Sequence, residues 1–473
     1  MPVQLRASFW FLVCLFMQRG ITAITTPVFT RLLTPEEFGQ VNVFTSWMNV
    51  VAIFVTLRIS YGVYTQGLVK FEEDRARYAS SMQGLLLSLC AAWSVAYLLS
   101  QSFWNALFHL TTAQMLAMLI MIWTEETFVL WAEERRNQYQ YKTLVAVTVA
   151  VSALKPLVAI VSILVAEDKV TARIFSFALV ELAGYFGLFV IQLYRGRQFF
   201  SAKYWKYALT FNLPLIPHYL SQTVLTSSDR IMIENMVGEA EAGLYSLACL
   251  LSMVMTLFNQ AFSQAMSPWL YRKIKTRQTQ DISSVAIPAL SLIGGANLIL
   301  IALAPEIVAV FAPKEYYDAI WVVPPVAMSV FFMFAYNLFS CFEFYYEKTA
   351  FIMAASVVSA LSNVVMNYFF IGIFGYYAAG YTTLACYMIN ALGHYLFMRR
   401  ICALYHHGQA YDPKILFSIT AAFLCIGFLF LFSYRYPALR YALLCGVLAF
   451  AFSQRRFIIT KLKLILSARK RND

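Results

Sequence analysis

LPLIPHYLSQTVLTSSDRIMI, Leu213–Ile233, decides how the rest of the chain is read. It is apolar over most of its length, begins on two prolines and closes on an adjacent acid and base, Asp229 and Arg230. On a soluble helix that pair costs almost nothing. At the centre of a lipid-facing helix each charge costs about 2.5–3.5 kcal/mol or more. Which solvent surrounds it is therefore the first question.

Composition answers for a bilayer. Of 473 residues, 60% are hydrophobic and only 13% charged, with a mean hydropathy of +0.65; soluble domains carry about a quarter charged residues. Apolar runs of about 20 residues, enough to cross a membrane, recur from end to end. The first follows Arg6 and continues past Arg19 with no A-x-A-like cleavage site, so it reads as an uncleaved span. The eight cysteines are scattered through apolar runs, with no C-x-x-C and no histidine at ligand spacing, and read as small packing residues rather than a metal site.

Runs bounded by charge or by Pro and Gly predict fourteen spans, near 6–29, 41–66, 79–99, 112–131, 143–165, 172–194, 208–234, 242–267, 284–311, 319–342, 349–371, 376–398, 413–433 and 438–453. Lysine and arginine test that division independently. Of 36, 26 fall on the N-terminus, every second loop and the tail, six on the intervening loops, and four inside spans. The positive-inside rule then puts both termini in the cytoplasm and makes the number of spans even. The net charge of +12 belongs to this alternation and not to a nucleic-acid partner.

Two connections share a pattern about 200 residues apart. RLLTPEEFGQVNVF (Arg31–Phe44) and ENMVGEAEAGLYSL (Glu234–Leu247) each place Glu two residues before Gly, and YKT at Tyr141–Thr143 is echoed by EKT at Glu347–Thr349. With six spans between the copies, the expected fold is all-α. It is an integral membrane protein of about fourteen helices, with two six-helix lobes in a parallel pseudo-twofold arrangement plus a C-terminal helix pair. The expected boundaries are a lobe at 1–194, a basic cytoplasmic linker at 195–207, a second lobe at 208–398, a peripheral pair at 399–453 and a basic cytoplasmic tail at 454–473. Polar stripes at helical spacing include His218, Gln222, Thr226 and Asp229, then Asn259 and Ser263, then Ser359, Asn363 and Asn367, then Asn390 and His394. They suit either the wall of a wet cavity or hydrogen-bonded glue between helices.

PVFTRLLTPEEFG (Pro27–Gly39), the opening stretch and GEAEAGLYS (Gly238–Ser246) resemble the Wzx-type polysaccharide flippases of the MOP exporter superfamily. The resemblance implies movement of an undecaprenyl-pyrophosphate-linked oligosaccharide from the cytoplasmic to the outer leaflet of a bacterial inner membrane, in O-antigen or capsule synthesis. Its implied partners are that lipid-linked substrate, the bilayer, and polysaccharide polymerase and chain-length proteins. No cofactor is implied. A drug or other lipid-linked-precursor exporter of the same superfamily is the alternative. A glycan-polymerising enzyme is disfavoured, because G-x-S-x-G, P-loop, H-E-x-x-H and Rossmann patterns are absent and the outward loops are short.

An anionic cargo needs a hydrated cationic path. The four basic residues inside spans, Arg19, Arg58, Lys155 and Arg230, are the candidate anion ligands, the arginines foremost because a planar guanidinium bonds two phosphate oxygens at once. Glu125, Glu126, Glu181 and Asp229 are candidate coupling or cavity carboxylates, and His218, Gln222, Asn259 and Asn363 candidate lining. Lys155 could equally pair with a carboxylate, and Arg230 is expected to pair with Glu234 one turn on.

Overall fold

The computed structural model describes residues 3–453. The basic tail expected over 454–473, with Arg455, Arg456, Lys461, Lys463, Arg469, Lys470 and Arg471, lies outside the described residues. Among the described residues every regular element is a helix: eighteen α-helices and three short 3-10 segments. In chain order the α-helices are α1 (Val3–Leu32), α2 (Pro35–Thr56), α3 (Val63–Lys70), α4 (Arg75–Leu99), α5 (Gln101–Phe108), α6 (Thr112–Asn137), α7 (Tyr141–Val165), α8 (Lys169–Gly196) and α9 (Ala202–Asn212). They continue as α10 (Ile216–Met236), α11 (Glu239–Lys275), α12 (Ser283–Ala302), α13 (Ala304–Phe311), α14 (Val323–Tyr345), α15 (Thr349–Phe374), α16 (Tyr377–Leu404), α17 (Pro413–Ser433) and α18 (Pro437–Ser453).

Ten of these helices are long and apolar enough to cross a membrane by length and composition: α2, α4, α6, α7, α8, α11, α12, α14, α15 and α17. The other four expected spans, in α1, α10, α16 and α18, are helical as well. Three expected spans are interrupted. The run 41–66 breaks between α2 and α3, the run 284–311 breaks at Leu303 just before α13, which has Pro305 in its first turn, and 208–234 is divided by a 3-10 turn at Leu213–Leu215. Hydropathy averaged over a whole span is blind to such breaks, because apolar residues continue through them.

Local chemistry sets several helix starts. Thr34 caps α2, taking the Glu37 amide at 3.3 Å, while Glu37 accepts from the Thr34 amide at 2.8 Å and Pro35 occupies the first turn. The repeated motif begins α11 differently: Gly238, at φ +158, takes the cap position. The second repeat marker opens α7 and α15, each after a left-handed residue, Tyr139 and Glu347.

The chain divides into two compact units, Met1–Ile231 and Met232–Asp473. In the first, α4, α6 and α8 pack on one another, α7 lies on α8 and α1, and α9 packs on α3 and α4. That packing carries the segment expected as a linker, 195–207, into the first unit. In the second, α14 is central, lying against α11, α12, α16 and α17. There α17 and α18 are held to α12 and α13 by polar contacts as well as apolar ones. The buried Arg440 pairs with Glu306, Tyr441 donates to Glu306 at 2.6 Å, and Tyr434 donates to the Ile301 carbonyl at 2.6 Å.

Candidate functional site: charges around a broken helix

The break between α2 and α3 is built by named contacts. Leu57 and Arg58 both take left-handed backbone, φ +49, and Gly62 takes φ +63. Such conformations cost non-glycine residues about 1–3 kcal/mol each and persist only where the surroundings over-determine them. The surroundings do so from three sides. Within the chain, the Thr56 hydroxyl accepts the Arg58 amide at 3.1 Å. From α9, the buried Asn212 donates to the carbonyls of Leu57 at 3.0 Å and Arg58 at 2.6 Å. From α6, Glu126 accepts from the Ser60 hydroxyl at 2.5 Å and the Ser60 amide at 3.3 Å. Backbone groups freed by unwinding thus find buried partners, the condition for irregular backbone at membrane depth.

The break presents Arg58. Its half-buried guanidinium lies 5.8 Å from the Tyr61 ring, which meets Tyr219 at 5.9 Å. One residue before Glu126, and so about 100° round α6, Glu125 faces a different cation: Lys155 of α7 lies 3.9 Å from it. Lys155 also pairs with Glu181 of α8, a fully buried carboxylate to which Thr124 donates at 3.3 Å. The cluster holds two cations and three carboxylates. Lys155 is engaged by both Glu125 and Glu181, whereas the Arg58 guanidinium stands beside the Tyr61 ring.

A second polar ladder joins α4, α6 and α8. Gln83 donates to Gln192 at 2.7 Å and to the Thr127 carbonyl at 3.2 Å, Thr127 donates back to Gln83 at 3.2 Å, and Gln192 donates to Glu134 at 2.7 Å. All five groups are satisfied and buried, an arrangement that specifies packing.

The remaining candidates fall elsewhere. Arg19 is exposed on α1. On α10, Asp229 is buried, His218 half-buried and Gln222 exposed. Arg230 turns back to the Thr226 carbonyl at 3.1 Å instead of forward to Glu234, so the expected ion pair is not made. A guanidinium can satisfy a helix carbonyl on its own turn without ordering a second side chain. In the second unit, Asn259 accepts from Ser263 at 3.2 Å, and Asn363 donates to Thr383 at 3.3 Å while Asn367 accepts from Thr382. The α15 stripe therefore binds α15 to α16.

Sequence reasoning missed Ser60 and Asn212, short polar residues whose role exists only once the break forms. It also missed Glu343, which accepts from the buried His394 ring at 2.8 Å on both oxygens. The span over 319–342 was expected to stop just before Glu343, yet α14 runs on to Tyr345. An acidic residue one position past an expected span, with a histidine mid-span elsewhere, was the available signal.

This architecture is that of a multi-pass helical membrane protein. The structure matches lipid II flippase MurJ in an inward closed conformation with TM-score 0.70 and 13% identity, over 95% of this chain and 99% of that one. It matches an inward-facing multidrug resistance MATE family transporter of the MOP superfamily at 0.65 and 14%, over 84% and 99%. A MOP superfamily transporter from Pyrococcus furiosus follows at 0.59 and 14%, over 85% and 96%. At these identities the likeness shows the shared fold. The chain belongs to the polysaccharide biosynthesis protein family, which it matches over residues 5–274. Among curated relatives, protein 1 of the Lsg locus of Haemophilus influenzae is 28% identical over 213 residues, 42% of this chain and 51% of that one. The chain thus spans about half the length of that relative. An uncharacterized membrane protein of the same organism is 22% identical over 348 residues, 71% and 82%.

Proposed function

We propose that the protein is a Wzx-type flippase. It carries undecaprenyl-pyrophosphate-linked oligosaccharide repeat units from the cytoplasmic to the outer leaflet of the bacterial inner membrane by alternating access, for O-antigen or capsule synthesis. Fourteen helices cross, both termini are cytoplasmic, and the lobes 1–194 and 208–398 move. The activity is transport without catalysis.

The observation that carries this reading is Arg58 on unwound backbone within a membrane unit of a polysaccharide biosynthesis family member. Interrupted helices place ligand groups at transporter binding sites, and a guanidinium there suits a pyrophosphate. Arg19 and Arg230 are proposed further contacts along the path. Glu125, Glu126 and Glu181 are the proposed sites of a coupled proton, with Lys155 as their counter-ion.

The test is reconstitution in liposomes with a fluorescent undecaprenyl-pyrophosphate oligosaccharide. The wild type is expected to move it between leaflets, Arg58→Ala to lose at least about tenfold in rate, the equivalent of about 1.4 kcal/mol, and Arg58→Lys to retain part. Unchanged movement in Arg58→Ala refutes the anion site. A second reading, export of a drug or of another lipid-linked precursor, draws on the MurJ and MATE likeness. Movement of such compounds, with none of the oligosaccharide lipid, decides for it.

A further inference from the structure

The segment leaving α8 is laid along the first half of α4 and is held there by close backbone approaches. A Cβ on Gly196 would stand 2.1 Å from the Ala76 carbonyl oxygen, and one on Gly84 would stand 2.1 Å from the Phe199 carbonyl oxygen. Between these two contacts the Gln198 amide donates to the Ser80 hydroxyl at 3.3 Å, and beyond them the Trp205 indole donates to the Ser81 carbonyl at 3.0 Å. Four successive ties make the segment a strap and not a loose connection.

The strap and the start of α4 border an open cleft of about 690 Å³. Three arginines line it: Arg77 from α4, and Arg195 and Arg197 from the strap. Glu73 and Asp74 line it as well. Arg77 has Asp74 at 3.6 Å. Among the described residues, neither Arg195 nor Arg197 has a carboxylate within ion-pair distance. Arg197 is held at φ +48, beyond the helix end, with its guanidinium 5.4 Å from the Tyr194 ring. Tyr194 is 72% and Phe200 60% exposed. Guanidinia beside exposed aromatic rings, on the face that bears the basic loops, match the headgroup level of a bilayer, where rings anchor and arginines meet phosphate.

We propose that this cleft binds the phosphate-bearing head of a lipid, with Arg195 and Arg197 on the phosphate and Tyr194 and Phe200 against the start of its hydrocarbon. The site is separate from the Arg58 cluster, and a bound head locks the strap on α4. The proposal does not depend on what the protein transports.

The experiment uses the delipidated full chain in detergent, with retention of added phosphatidylglycerol read by native mass spectrometry and soluble pyrophosphate as competitor. The wild type is expected to retain lipid. The double variant Arg195→Gln/Arg197→Gln should bind about thirtyfold more weakly, since each basic residue near an anionic lipid contributes about a fivefold effect. The control Arg399→Gln/Arg400→Gln, on another basic loop, should match the wild type. Displacement of phosphatidylglycerol by pyrophosphate supports shared phosphate recognition. Pyrophosphate binding that needs Arg195 and Arg197, with no phospholipid retained, supports the same site with a lipid-linked pyrophosphate as its source. Equal loss in the control, or retention of both probes by the double variant, overturns the proposal. Wild-type thermal stability in the double variant separates lost binding from lost folding.

Discussion

Lys155 shows how a membrane changes the meaning of one residue. Its ammonium is shared between Glu181, fully buried, and Glu125, partly exposed. Removing one partner of a buried pair costs about 3–5 kcal/mol, whereas removing both is often neutral. Lys155→Met is therefore expected to destabilise the protein on that scale, and Lys155→Met/Glu181→Leu to recover most of the loss, as read by thermal unfolding in detergent. A single variant as stable as the wild type contradicts the pair. If the folded double variant still transports at the wild-type rate, the coupled proton does not sit on Glu181. His407 gives a residue-scale prediction outside the spans. Burial and the neighbouring Arg277 hold its pKa below the usual 6.5. The unfolded chain then takes up the proton first as pH falls, so the contribution of His407 to stability is complete above 6.5 and is lost below it. His407→Gln should flatten the fall in melting temperature between about pH 6.5 and pH 5, the window set by the unfolded value and its acid side; an unchanged slope counts against this.

Among elements, α4 and α8 meet through glycine. Gly196 admits no Cβ against the Ala76 carbonyl and the Ser80 Cβ, while Gly187 on the same helix has nothing within 4 Å of the equivalent position. Gly196→Ala must push α8 from α4, at an expected cost of about 1–3 kcal/mol. Gly187→Ala should be neutral or slightly stabilising through helix propensity. Melting temperatures of the two variants check this directly, and equal values would mean that α8 does not lie as described. The broken α2–α3 segment was not legible in hydropathy, because Leu57, Ile59 and Tyr61 continue the apolar run through it. Gly62 was the local sign, but a single glycine in an apolar stretch is compatible with an unbroken helix. Asn212 is far from the break in sequence, so its part in forming the break could not be read from local pattern at all.

At the scale of the whole molecule, alternating basic loops predict sidedness. Single cysteines on a cysteine-free background, at Ser102 in the short α5 and at Ala202 in the strap, should be labelled by membrane-impermeant reagents from opposite sides, Ser102 from outside. Labelling of both from one side would remove the assigned orientation. The all-helical membrane class, the approximate place of most long helices and the presence of charged residues within them were legible because a bilayer reduces the problem to one dimension. Segment length and polarity decide what can cross it.

Which charges meet is another matter. The sequence alone determined that Arg58, Lys155, Glu125, Glu126 and Glu181 lie inside apolar segments, together with the family likeness of the motifs around them. Only the tertiary structure decided that Glu126 holds a helix break open, that Lys155 belongs to Glu181 and Glu125, and that Glu343 reaches His394. Crossing a membrane depends on the composition of one segment, but pairing depends on which faces of several helices pack together. That choice is made by side-chain shape and hydrogen bonding between residues far apart in the chain.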